Sequence, residues 1–327
     1  MLSRVAENLY WISRYVERAE NVARLLDDGF HLELDAAGLA GDADGRGPVE
    51  GVLAILACRT EFALGHDPGD REAALEFLTF DRRNRHSIVA MLARARESAR
   101  STQEALSAEA WGQVNRMYLG MTAPKARRRF LASPSRFFEG VKRACILFDG
   151  LVDSTMPRSE AYHFLQLGRY LERANQVSRV LAVKLRARAV ATVGDGPDED
   201  DPEAPLRAVY WSSLLRSCSA HEAYLREHRD RMDPAGVVSY LVLDPDFPRA
   251  LRYCVARCCD SLRDLAGPRD DDDYSNEAER LLGRLDSELR YVDVDEIFRQ
   301  GLARFLNSVQ DTCHRVGDEI HQAYFLT

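Results

Sequence analysis

At 327 residues, with 46% hydrophobic and 29% charged side chains, the chain has the composition of a folded globular protein and can bury one large core or two modest ones. A net charge of −8 and a pI near 5.6 argue against a general nucleic-acid binder, whose affinity rests on basic surface. No apolar run is long enough for a membrane span. The opening residues read as a charged helix rather than a signal peptide, so a cytoplasmic location is expected.

The helical signal is nearly unbroken along the chain. Leu9, Ile12, Val16, Ala19, Ala23 and Leu26 recur at three-four spacing and predict an amphipathic helix over 3–34. A Gly/Asp/Ala-rich loop is expected from Asp35 to Glu50, with Pro48 opening the next helix over 49–64. Helices are expected over 71–80, 87–106, 111–119 and 137–154. The stretch 124–136, with Pro124, Pro134 and a basic cluster, reads as a break. A second long helix covers 159–190, an acidic Gly/Pro loop runs from Thr192 to Pro205, and helices return over 209–228 and 298–324. Strand alternation and hairpin signals carry no weight anywhere. Seven scattered cysteines without a Cys-x-x-Cys pair predict reduced, buried thiols.

Part of the chain occurs twice. Arg14-Tyr15-Val16-Glu17-Arg18-Ala19 reappears 155 residues later as Arg169-Tyr170-Leu171-Glu172-Arg173-Ala174. Tyr240-Leu241-Val242-Leu243-Asp244 lines up with Phe77-Leu78-Thr79-Phe80-Asp81. Phe298 to Tyr324 is matched to the helix beginning at Phe137, which places Gly301 on Gly140. This self-similarity predicts an all-α protein of two pseudo-symmetric multi-helix repeats, 1–155 and 156–327, packed into one helical bundle.

The two copies keep their charges as well as their apolar stripe: Arg14, Glu17 and Arg18 in one, Arg169, Glu172 and Arg173 in the other. Solvated charges on a helix face interact weakly and have little reason to match. Either the helices bury Arg–Glu pairs near the pseudo-symmetry axis as a frame, or the arginines line a pocket for a carboxylate or phosphate, with a glutamate as acid or base. Both readings stay open at this level. Arg249 and His86 fall at matching positions and are candidates to point toward the same centre. Lys125, Arg127, Arg128 and Arg129 form a solvated loop or a docking surface for an acidic partner. Asp81 and Asp244 are expected to cap the helices that follow them.

Glu7-Asn8-Leu9-Tyr10-Trp11 ahead of the first motif, Trp211-x-x-Leu214-Leu215-Arg216 with Glu222-Ala223-Tyr224, and Leu243-Asp244-x-x-Phe247-Pro248-Arg249 complete a pattern. Together with the repeated motif it resembles the Alpha-E family, prokaryotic α-helical domains named for a Glu-Arg motif, from Met1 to about residue 325. The resemblance implies association with circularly permuted ATP-grasp-like proteins and transglutaminase-like proteins. That setting suggests an accessory or interaction subunit in ATP-driven amide or peptide bond formation, presenting an anionic substrate. The alternatives are a stand-alone enzyme with an Arg/Glu-lined pocket between the repeats, or a purely structural scaffold.

A Gly-rich phosphate loop, a P-loop lysine and a dinucleotide fingerprint are all missing, so no cofactor is expected. Glu160-x-x-His163 and Asp318-x-x-His321 have the carboxylate–histidine spacing of di-iron bundles, but Asn8 stands where the first copy would need a histidine. No metal is therefore expected. Cys254, Cys258 and Cys259 lack a second ligand cluster, and His221-Glu222 lacks a nucleophile turn.

Overall fold

In the computed structural model, residues 1–36, 48–186, 204–228, 232–267 and 274–326 are described. Every regular element among them is a helix. Besides a 3-10 turn (Gln103–Ala105) and a π turn (His321–Phe325), these are the α-helices α1 (Ser3–Ala36), α2 (Pro48–Ile55), α3 (Arg59–Ala63), α4 (Arg71–Thr79), α5 (Ile88–Ser101), α6 (Ala108–Thr122), α7 (Ala126–Ala132) and α8 (Pro134–Thr155). They continue as α9 (Glu160–Arg186), α10 (Ala204–Ser217), α11 (His221–His228), α12 (Pro234–Leu243), α13 (Leu251–Ala266), α14 (Glu277–Tyr291), α15 (Val294–Gln300) and α16 (Leu302–Ile320). Most of the loops expected from Asp35 to Glu50 and from Thr192 to Pro205 lie outside the described residues.

The architecture follows from which helices have more than one face to bury. α1 packs against α5, α8 and α9, and α9 packs in turn against α13 and α16. α6 closes the first group by touching α5 and α8, and α14 closes the second by touching α13 and α16. The core therefore lies in two four-helix groups joined along the α1–α9 contact. The outer helices are amphipathic in the ordinary way: α16 buries Phe305, Leu306, Val309, Cys313, Val316 and Ile320 at three-four spacing. α1 and α9 approach closely at Gly168, where a Cβ would stand 2.2 Å from the carbonyl oxygen of Tyr10. Only glycine lets one helix backbone come that near another.

Several expectations are corrected. The stretch 124–136 is not a plain break, because α7 forms within it, anchored by buried Ala126 and Phe130. The helices expected over 49–64 and 209–228 are each interrupted, at Ala57 (φ 54°) and Ser219 (φ 53°). There the N–H of Cys58 donates to Leu53 O at 3.0 Å, and that of Ala220 donates to Leu215 O at 2.8 Å. Both are helix terminations in which a left-handed residue lets the chain fold back on the last carbonyls. Residues 298–324 are not one helix either: Gly301 (φ 94°) separates α15 from α16, whereas Gly140 lies inside α8. Asp81 and Asp244 tighten loop turns by accepting from the N–H groups of Arg83 and Asp246, both at 2.9 Å. The cap of α5 is Ser87, which accepts from Ala90 N.

The seven cysteines are free, and six of them are buried. Burial pushes the thiols of Cys58 and Cys313 up to about 12, so they are inert as nucleophiles at neutral pH. No helix among the described residues is long and apolar enough to cross a membrane.

Candidate functional site

Residues 14, 17, 21, 24 and 28 recur at helical spacing on α1 and share a face. That face is charged, yet Arg14, Glu17, Asn21, Arg24 and Asp28 are all buried, with Glu17 only 3% exposed. Opposite it on α9 lie Glu172 (0% exposed), Arg173 and Gln176. Burying charge is costly unless it is paired and hydrogen-bonded, and the motif glutamates meet this by exchanging partners between the two helices. Glu172 Oε2 accepts from Arg14 Nε at 2.8 Å, and Oε1 accepts from Arg18 Nε at 2.7 Å and from Gln176 Nε2 at 2.8 Å. In the other direction, Arg173 donates through Nε and Nη2 to the two oxygens of Glu17 at 2.8 and 2.7 Å, a bidentate fork. Asn21 Nδ2 donates to Gln176 Oε1 at 2.9 Å, and Arg14 Nη1 donates to the Tyr10 hydroxyl at 2.7 Å.

The lattice extends beyond the two motifs. Arg249, just before α13, donates to Glu17 Oε1 at 3.0 Å and to Glu20 Oε1 at 2.6 Å. Arg24 also pairs with Glu20 and reaches the Ser219 hydroxyl. Asp149 of α8 lies 3.0 Å from Arg169 Nε and 3.7 Å from Arg173 Nη2. One carboxylate oxygen each from Glu17, Glu20 and Asp149 fall within 4.8 Å of one another, the spacing of a cation site. The guanidiniums of Arg24, Arg169, Arg173 and Arg249 already occupy their charge, so the donor set suits arginine better than a divalent ion.

These surroundings pull the acids apart. Burial raises the Glu172 carboxyl, but Arg18 and Arg14 outweigh it and hold it down at about 2. Glu17 is likewise driven below the usual range by Arg173 and Arg249 against its burial. Asp149 goes the other way: burial, with Glu17 and Glu20 nearby, outweighs Arg169 and Arg173 and lifts it to about 7. The signs differ accordingly. The glutamates contribute stability above their ordinary value of 4.5, and that contribution is lost as pH falls toward 2. Asp149 carries a proton in the folded state that it lacks when unfolded, so its contribution is lost as pH rises through about 7. Thermal unfolding of the wild type should show this contribution falling away between pH of about 4 and about 7, and Asp149→Asn should flatten that slope. A wild-type midpoint that rises or stays level over this range would contradict the assignment.

Arg14, Glu17, Arg18, Glu172, Arg173 and Arg249 are thus brought together as expected, while Arg169 reaches Asp149 and Asp153 rather than a motif glutamate. His86 is corrected. Its backbone N–H donates to Asn84 Oδ1 and its ring meets Arg85, while burial and Arg85 lower its pKa. Among the described residues it makes no hydrogen bond or ion pair with Glu17 or Glu172. In the basic cluster, Lys125, Arg128 and Arg129 are exposed, whereas Arg127 pairs with Glu76 and lies over the Phe80 ring. The two carboxylate–histidine pairs do not assemble: His163 meets Asp264, Glu160 takes the Met1 ammonium, and His321 faces Glu7.

Glu20 and Asp149 were missed. Glu20 follows Glu17 by three residues and precedes Arg24 by four, a spacing that already placed it with them. Asp149 is an acid between Phe148 and Val152 on the buried face of α8, a pattern that asks for a buried cation. Two cavities flank this centre. One, of about 200 Å³, lies among Leu92, Met117, Met121 and Phe137 with Arg116 and Arg129 at its wall. The other, of about 410 Å³, lies at the end of the lattice around Arg24 and Asp28. Neither has Glu17 or Glu172 in its wall.

These features define a helical frame whose two longest described helices exchange Glu–Arg pairs through the core. The chain belongs to the Alpha-E family, a predicted alpha-helical domain with a conserved ER motif, which matches residues 1–325. Two such Glu-Arg pairs are present, Glu17-Arg18 and Glu172-Arg173. The chain is 23% identical over 339 residues to uncharacterized proteins of Mycobacterium tuberculosis and Mycobacterium bovis. The alignment covers 96% of this chain and 36% of each relative, so the chain spans about a third of the length of the curated relatives it matches. No solved structure matches it significantly.

Proposed function

We propose that the chain is an accessory or interaction subunit working beside an ATP-grasp-type ligase in amide or peptide bond formation, with the Glu–Arg lattice as its frame. One observation carries the frame reading: both oxygens of Glu17 and both of Glu172 accept from guanidiniums inside the core. A general base needs a lone pair within reach of substrate, and these carboxylates are buried, outside both cavities, with three bonds already accepted by each. A stand-alone enzyme built on the motif is therefore the less supported alternative. The partners, a circularly permuted ATP-grasp-like protein and a transglutaminase-like protein, come from the Alpha-E resemblance. In the cytoplasm its free thiols would stay reduced.

The frame itself is read as two copies, 1–155 and 156–327, about a pseudo-two-fold axis. Buried and half-buried apolar positions support this reading beyond the motif. Ile88 and Leu92 of α5 correspond to Leu251 and Val255 of α13, 163 residues on. Val114 of α6, Phe130 of α7 and Cys145 of α8 correspond to Leu282, Phe298 and Cys313, each 168 residues on. The left-handed breaks at Ala57 and Ser219 fall in register with these.

Co-expression with an ATP-grasp protein encoded beside it tests the function. The two should co-purify, and the chain should change the partner's ATP turnover; if they neither associate nor alter turnover, the reading fails. Arg128→Glu with Arg129→Glu should weaken the association about tenfold if the basic surface docks an acidic partner. Unchanged binding would move the interface elsewhere.

A further inference from the structure

The two Glu–Arg centres are not equally supplied with acids. Around Glu17, Glu20 holds Arg24 and Asp149 holds Arg169. The centre around Glu172 lacks both. Asn175 stands 155 residues after Glu20, the offset that separates the two motifs. Gly317 stands 168 residues after Asp149, the offset that joins Cys145 to Cys313, and a Cβ on it would lie 3.6 Å from Arg14 Nη1. Arg14 therefore meets a bare glycine where Arg169 meets a carboxylate. The basic residues, by contrast, are kept. Arg14 and Arg18 bond to Glu172, and Arg179 lies two turns from it on the same face of α9. Three guanidiniums share one carboxylate, which leaves two positive charges over. At the rim Arg85 and Glu61 offset each other at 3.8 Å.

Arg179 is the arginine that this leaves without support. Arg24, 155 residues earlier, is held by Glu20 and by the Ser219 hydroxyl. Asn175 replaces the first partner, and Ala57, the other left-handed residue, replaces the second. Arg179 makes no hydrogen bond or ion pair among the described residues. It is half-buried, and none of its guanidinium nitrogens is sealed from solvent.

Two neighbours open on the same side. Arg18 spends Nε on Glu172, with its side chain 28% exposed. His86 is half-buried just before α5, as Arg249 stands just before α13. Its Nε2 accepts from Arg85 Nε at 3.1 Å, which places the ring proton on Nδ1 as a donor. Burial, helped by Arg18, outweighs Glu172 and holds Arg179 below its usual value. Burial and Arg85, with Arg18 and Arg179 behind them, lower His86 against the pull of Glu61. Like charges crowded at a half-open site are relieved when an anion is set between them.

We propose that Arg18, Arg179 and His86 bind a phosphate group, a tetrahedral dianion that matches the two surplus charges and accepts from donors on three sides. A carboxylate would cancel only one of those charges. The site stands apart from the ligase partnership, because all three donors belong to this chain.

Isothermal titration of the whole purified chain with inorganic phosphate tests it, with acetate and methyl phosphate as separate probes at matched ionic strength. Phosphate should bind, and acetate should bind at least about tenfold more weakly. Arg179→Gln should weaken phosphate about tenfold without lowering the thermal midpoint, since this guanidinium holds nothing in the fold. Asn175→Glu restores an acid four residues before Arg179, as Glu20 precedes Arg24, and should abolish binding by filling Arg179 from within. Arg128→Gln, in the exposed basic cluster, should bind phosphate like the wild type. Full binding by Arg179→Gln or by a folded Asn175→Glu protein would overturn the site. An equal loss in Arg128→Gln, or no heat from any probe at millimolar concentration, would overturn it too. Acetate that binds as tightly as phosphate would overturn the dianion. Methyl phosphate binding beside phosphate assigns the group to an ester, phosphate binding alone assigns the free ion, and both results uphold the site.

Discussion

Glu172→Gln should cost about 3–5 kcal/mol of folding stability, the range found when one partner of a buried ion pair is removed. The substitution keeps the shape and removes only the charge. Arg14 and Arg18 are then left facing a neutral amide whose NH₂ group cannot accept from either, and Arg14 is buried with no water to turn to. Glu17→Gln should behave alike, since Arg173 is 4% exposed and loses a bidentate partner. Urea denaturation of both single variants and of the double variant measures the coupling. If the lattice is one network, the double variant loses less than the sum of the singles. Midpoints at or above the wild type would mean that the glutamates are not what holds α1 to α9, and the frame reading would fall.

The second large effect involves no charge. Gly168→Ala should destabilise by about 3 kcal/mol, at the upper end for overpacking, because the new methyl meets a backbone carbonyl rather than a side chain that can swing aside. The contact distance of 2.2 Å to Tyr10 O leaves α1 and α9 no choice but to separate. Separation would lengthen the Arg14–Glu172 and Arg173–Glu17 bonds on either side, so the methyl and the lattice would fail together. Gly150→Ala in α8 is the control. Nothing lies within 4 Å of its Cβ position, and the better helix propensity of alanine should stabilise by about 0.5–1 kcal/mol. A Gly168→Ala protein that melts with the Gly150→Ala protein would show that the close approach is not needed.

Much of this was legible in the sequence, for identifiable reasons. The charge pattern shared by residues 14–18 and 169–173 signalled a constraint, and the structure buries Glu17 and Glu172 against the other copy's arginines. The three-four apolar stripe placed α1 and α9 correctly but described only half of each helix. On α1 the polar face is buried too, which periodicity reads as solvent-facing. The helix breaks at Ala57, Ser219 and Gly301 were missed because two of the three carry no glycine, and the third was absorbed into an apparent match with Gly140. α7 was hidden by its own basic residues, although Phe130 gives it a buried anchor. The larger cavity was invisible, since Arg24, Asp28, Arg216 and His221 are joined only by the packing of α1 against α10.

The exchange of partners between α1 and α9 also governs when the protein can fold. Arg173 and Glu17 are 156 residues apart, and Arg249 and Glu17 are 232 apart. Contacts so distant along the chain slow folding, because long loops must close before the reward arrives. On the ribosome α1 emerges before α9, with Glu17 and Glu20 facing no cation from the later half until Arg173 and then Arg249 have been made. Glu17 therefore meets the cations that pair with it only after α9 and the start of α13 have been made.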